Sequence, residues 1–107
     1  MKIAISISEK SFDSKVDPRF GRCPYYVIVD SETDEHEIIK NTAGEEFRGA
    51  GVTAAQMIAD KGVKVAISGN FGPKAMSVLN SAGIEAKSGV SDITAKEAYD
   101  KQKKGEL

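Results

Sequence analysis

A chain of 107 residues, 40% hydrophobic and 29% charged, has the composition of one water-soluble globular domain (1–107), with a core that needs no disulfide or structural metal. Its net charge of −1 supplies no broad positive field for nucleic acid or an acidic membrane surface, so an anion site has to be local. No apolar run reaches the roughly 20 residues of a membrane span, the opening "MKIAISISEK" lacks the apolar core of a signal peptide, and the single cysteine, Cys23, makes no internal disulfide; a cytoplasmic protein is expected.

Met1 to Ser8 alternates Ile3, Ile5 and Ile7 with Ala4, Ser6 and Ser8, a period-2 strand whose small face lets a helix come close. Glu9 to Pro24 reads as a long loop. Its polar first half, "EKSFDSKVD", is expected to be mobile and to order on binding. Tyr25 to Asp30 and His36 to Lys40 flank the polar turn "DSETDE" and predict an antiparallel hairpin. After the loop Asn41–Gly51, the spacing of Ala54, Ala55, Ile58 and Ala59 predicts a helix over 52–61, stopped by Gly62 and Val63. Val63 to Ser68 is a continuous apolar strand of the parallel-sheet kind. Pro73 opens a second helix, stopped by Gly83 and Ile84. A short strand follows to Lys87, and Thr94 with Glu97 forms a capping box for a last helix that runs to about Lys103.

The order β-β-β-α-β-α-β-α predicts a three-layer α/β fold. Right-handed crossovers give a five-stranded mixed sheet of order 3-2-1-4-5, with strand 2 antiparallel. Four loops then gather at one end of the sheet: Glu9–Pro24, Asn41–Gly51, Gly69–Gly72 and Ser88–Ile93. Helix N-termini at "GAGVT" and "GNFGPK" aim unpaired N–H groups at this end, where an anion is favoured. The expected site comprises Arg19, Phe20, Gly21, Arg22, Cys23, Gly49, Gly51, Asn70 and Gly72. Cys23 is its one metal ligand, held as thiolate by Arg22. Cations, amides and a soft donor together suit a metal–sulfur cluster better than a plain phosphate.

Structural alternatives stand beside these roles. In these, the arginines brace the loop against Asp13 or Asp17, Phe20 and Tyr26 only pack, Asn70 only supplies a positive-φ turn, and Cys23 is a small hydrophobe. His36 reads as a solvated residue at the far end of the sheet.

The segments "DPRFGRCPYYVIVD", "GAGVTAAQMIADKGVKVAISGNFGPKAMSVLNSAGIEA" and "EAYDKQKKGEL" together resemble the dinitrogenase iron–molybdenum cofactor biosynthesis family, over nearly the whole chain and in order. The resemblance implies a ribonuclease-H-like fold. It also implies a non-catalytic carrier of an anionic metal–sulfur cluster: iron–molybdenum cofactor, a precursor, or a related molybdenum or iron sulfide cluster. Cofactor-assembly proteins are the implied partners, and a monomer or weak dimer is expected. Many relatives have histidine where this chain has Arg19, which removes one possible ligand.

Enzyme readings find little support. "KIAISIS" carries no acid for a two-metal nuclease, one histidine leaves no Ser–His–Asp set, and "SGNFGPKA" lacks P-loop spacing. One Cys and one His exclude a four-ligand zinc site. The competing reading is a small-anion or phosphometabolite module, or a partner-interaction domain, without metal.

Overall fold

The computed structural model describes residues 1–45 and 49–107; positions 46–48 of the expected Asn41–Gly51 loop lie outside the described residues. Alternation decides the first strand. In β1 (Lys2–Ile7), Ile3, Ile5 and Ile7 are fully buried on one face and Ala4 is buried on the other. The hairpin β2 (Tyr25–Asp30) and β3 (His36–Lys40) lies on one side of β1, and β4 (Val63–Ile67) and β5 (Glu85–Lys87) on the other. The sheet order is β3-β2-β1-β4-β5, with β2 antiparallel to both neighbours and β4 and β5 parallel to β1. This is the expected mixed α/β sheet.

The two faces bury different residues. Ile3, Ile5, Ile7, Val27, Val29 and Ile67 pack against Ala98 and Tyr99 of α3 (Ala95–Lys103). On the other face Ala4 and Ala66 meet Ala54, Ala55 and Ile58 of α1 (Ala50–Asp60) and Leu79 of α2 (Pro73–Ser81). Small sheet residues let these helices sit close, while each fully buried isoleucine opposite contributes about 1.5–3 kcal/mol. Helix ends follow their signals. Gly62 (φ +77°) and Gly83 (φ +74°) take the left-handed conformation after α1 and α2. Thr94 Oγ1 accepts from the Glu97 N–H at 3.1 Å while the Thr94 N–H donates back to Glu97 Oε1 at 3.2 Å.

Two expectations need correction. Helix α1 begins at Ala50, two residues before the expected start, because Gly51 fits inside its first turn; a Cβ there would stand 3.2 Å from that of Ala75 on α2. The segment "EKSFDSKVD" is tied down rather than loose. Its Phe12 and Ser14 carbonyls accept the Lys96 and Ala95 N–H groups at 3.1 and 2.8 Å, and the Phe12 ring sits 4.7 Å from His36 and 5.9 Å from Tyr99. The fourth rim loop, Ser88–Ile93, does gather with the others at this end, its Gly89 N–H bonding the Gly69 carbonyl at 2.9 Å and its Ile93 carbonyl accepting the Val16 N–H at 3.0 Å, with Val90 buried on the α3 face.

Candidate functional site

The loop from Asp17 to Pro24 is held from below by buried polar groups. Asp17 is 2% exposed. Its carboxylate accepts Ser8 Oγ at 2.8 Å, the Arg19 N–H at 2.8 Å and Arg19 Nε at 3.4 Å; its carbonyl accepts Ser6 Oγ at 2.8 Å and Ser68 Oγ at 3.2 Å. Arg19 therefore does brace against Asp17, while its side chain stays 62% exposed. On the other side of the loop, Asn41 Nδ2 donates to the Gly21 and Cys23 carbonyls at 3.1 and 2.9 Å, and Asn41 Oδ1 accepts the Ala43 N–H at 3.1 Å. Tyr26 donates its hydroxyl to the Phe20 carbonyl. Phe20 packs on Tyr26 and Phe71, with ring centroids 5.4 and 4.8 Å apart.

Cys23 departs from expectation. Its side chain is fully buried in the α1/α2 core layer, its Sγ donates to the Phe20 carbonyl at 3.4 Å, and Asn41 Nδ2 approaches the sulfur at 3.9 Å. Burial pushes its thiol up to about 12, above the ordinary 9.0, with nearby Asp17 adding in the same direction. Burial likewise raises Tyr26, and Cys23 beside it adds to the shift. A neighbour in sequence, Arg22, does not overcome this desolvation, because the sulfur points into the core and Arg22 lies on the exposed side of the loop. Cys23 is not a thiolate at neutral pH and does not face the rim. Among the described residues no group of three or more His, Cys, Asp or Glu side chains is placed to hold a metal ion.

The other eight expected residues do converge. A cleft of ≈ 430 Å³ is lined by Arg19 to Arg22 of the loop, Gly49 to Val52 at the start of α1, and Asn70 with Gly72 to Ala75 at the start of α2. Its volume falls in the range of small-molecule sites, roughly 300–1,000 Å³. Glycines bring the walls together: a Cβ on Gly21 would stand 2.8 Å from Gly51 Cα, and one on Gly69 would stand 2.7 Å from Pro18 Cα. Asn70 does not take the expected positive φ, which among described non-glycine residues belongs only to Asp34 and Asp92. Its carbonyl instead accepts the Phe20 N–H at 3.1 Å, stitching the β4–α2 turn to the loop.

The lining carries Arg19, Arg22 and Lys74 and, among the described residues, no carboxylate. Both helices open onto it through glycine, Gly49 (φ +74°) for α1 and Gly72 for α2, with no side-chain cap and no acid in the first turn. The contrast with α3 is informative. There Thr94, Ser14 and Phe12 take up the first N–H groups. At α1 and α2 the positive ends of the helices are left facing the cleft. Sequence reasoning missed Ala50, Val52, Pro73, Lys74 and Ala75; Lys74 was legible as the cation one residue into a helix already aimed at the rim. His36 lies away from this cleft, exposed at the start of β3 beside a second hollow lined by Asp30, Glu35 and Glu37.

A family model described as dinitrogenase iron-molybdenum cofactor matches residues 1–105. The chain belongs to this family. An uncharacterized protein of Methanocaldococcus jannaschii is 43% identical over 88 residues, 79% of this chain and 71% of that protein. Among solved structures, the apo form of the orange protein from Desulfovibrio gigas superposes with a TM-score of 0.95 at 35% identity, covering 98% of this chain and 88% of that one. A NifB-like protein of the DUF35 family from Thermotoga gives a TM-score of 0.85 at 32% identity, covering 99% and 90%. The family's description links it to iron–molybdenum cofactor, and the chain is thereby a small cofactor-related protein. No helix among the described residues is long and apolar enough to cross a membrane.

Proposed function

We propose that the protein is a non-catalytic carrier that holds an anionic metal–sulfur cluster in the cleft between the Arg19–Arg22 loop and the N-termini of α1 and α2, and passes it to cofactor-assembly partners. The observation that carries this reading is the lining itself: three cations and two uncapped helix starts, with no carboxylate among the described residues, on a chain of net charge −1. Membership of the iron–molybdenum cofactor family favours a sulfide cluster as the anion. So does the apolar part of the wall, Phe20, Val52, Pro73 and Ala75, which suits large polarisable sulfide faces better than a small, strongly hydrated phosphate.

With Cys23 turned inward, the cargo keeps its own sulfides as metal ligands. Arginine and backbone N–H groups donate to those sulfides, as charge-assisted hydrogen bonds that need no protein–metal bond. Release then requires no ligand exchange at the metal, as a carrier needs.

Anaerobic gel filtration with tetrathiomolybdate tests the reading. The wild type co-elutes with the chromophore, Arg19→Ala and Arg22→Ala each weaken retention roughly tenfold, and Cys23→Ala retains it. Equal retention by both arginine variants, or preference for inorganic phosphate over thiomolybdate, overturns the proposal.

A further inference from the structure

Backbone geometry under the loop singles out one more donor. In a planar trans peptide the C=O of one residue and the N–H of the next point in opposite directions, and the protein contains no cis peptide among its described residues. The Phe20 carbonyl is turned into the core, where it accepts the Tyr26 hydroxyl and, at 3.4 Å, Cys23 Sγ. The N–H of Gly21 is therefore turned outward, on a residue that lines the cleft. The next peptide repeats the arrangement, since Asn41 Nδ2 draws the Gly21 carbonyl inward at 3.1 Å. Gly21 also lacks the side chain that would shield its amide, and has no room for one beside Gly51.

Building on the anion-carrier reading, we infer that the Gly21 amide is a hydrogen-bond donor of the cleft and that Tyr26 is the positioning residue that aims it, with the Cys23 thiol as a second, weaker donor on the same carbonyl. The lone thiol between two arginines thereby acquires a role: it faces away from the cargo and helps pin the peptide that faces toward it. Rotation of that peptide would replace an N–H by a carbonyl oxygen on the cleft wall and repel an anion. Tyr26 and Asn41 are buried and touch no cargo, so their effect on binding passes entirely through backbone orientation.

The test is a titration of uniformly ¹⁵N-labelled protein with tetrathiomolybdate, following backbone amides at a temperature well below unfolding. The Gly21 amide proton is expected to move downfield together with those of Ala50 and Gly51. In Tyr26→Phe the Gly21 shift shrinks and binding weakens roughly fivefold, while the salt dependence of binding is unchanged because every cation is intact. Cys23→Ala alone changes affinity less than twofold, and the Tyr26→Phe/Cys23→Ala pair loses more than the product of the single effects, since the two donors share one acceptor. A Gly21 amide that stays still while the Ala50 and Gly51 amides move overturns the inference and leaves the carrier reading standing. So does wild-type affinity in a folded Tyr26→Phe. Absence of any shift in the wild type overturns both.

Discussion

The buried thiol makes the folded protein lose stability in base. Above pH 9.0 an unfolded chain releases the Cys23 proton, whereas the folded chain holds it until about 12. The unfolded state thus binds fewer protons across this window, and stability falls as pH rises, by up to about 1.4 kcal/mol per pH unit. At pH 10.5 the loss from this one group approaches about 2 kcal/mol. Cys23→Ala removes it, at the cost of a small cavity in the α1/α2 layer worth about 1 kcal/mol at all pH values. Urea unfolding of the two proteins, read by circular dichroism from pH 8 to pH 10.5, should show the wild type more stable at pH 8, the gap closing above pH 9, and the variant more stable at the basic end. Tyr26 is also pushed up by burial, but it titrates in both proteins and largely cancels in the difference. A disulfide reagent adds a second reading: the native thiol should stay unreactive at pH 8 and react only on unfolding. A gap that holds constant across the range, or rapid reaction of the native thiol, refutes the inward placement of the sulfur and the account of the loop built on it.

Other perturbations separate the rim from the frame. Gly69→Ala drives a Cβ to 2.7 Å from Pro18 Cα, a backbone clash worth about 1–3 kcal/mol in thermal or urea melts, whereas Gly72→Ala meets nothing within 4 Å and should leave stability within about 0.5 kcal/mol. Equal melts for the two glycine variants would remove the close approach of loop and β4–α2 turn. Thr94→Ala breaks the capping box of α3 and should cost about 1 kcal/mol with no change in thiomolybdate retention, because α3 lies on the sheet face opposite the cleft; a loss of retention would contradict that placement.

What was legible in the sequence divides along the range of the forces involved. The first strand, the stops of α1 and α2 and the start of α3 follow from local signals that agree with one another: the isoleucine alternation of β1, the Gly62–Val63 and Gly83–Ile84 stops, and the Thr94–Glu97 box. The sheet order follows from the hairpin and the right-handed crossovers. Convergence of the glycine turns with Arg19 and Arg22 also follows, once the parallel crossovers place the loops at one end. The polar segment before Val16 misled because composition sees its lysines, serines and aspartates but not that its carbonyls cap α3. Those bonds join residues about 80 positions apart in sequence, such as Phe12 and Lys96, and no local pattern carries them.

Cys23 shows the same division at the scale of a single side chain. Arg22 and the surrounding Pro and Gly residues are one-dimensional neighbours, and on their evidence the sulfur belongs to a basic, open loop. Its three-dimensional neighbours are Phe20, Tyr26 and Asn41, which share the inner side of a turn closed by the bond from the Cys23 N–H to the Arg19 carbonyl at 3.0 Å. Along this turn Arg22 is exposed and Cys23 buried, two placements on one backbone path. The same path fixes the sense of the peptides before Arg22, with the Phe20 carbonyl toward Tyr26 and the Gly21 carbonyl toward Asn41. A polar core beneath the loop is thus the counterpart of a cationic rim above it: the donors spent inside on the Phe20 carbonyl leave the Gly21 N–H facing out. The Asp17 and Cys23 carbonyls also accept inner donors, but they precede Pro18 and Pro24 and expose no amide. On the proposed reading, backbone orientation then adds to the arginines in favouring an anion on a chain of net charge −1.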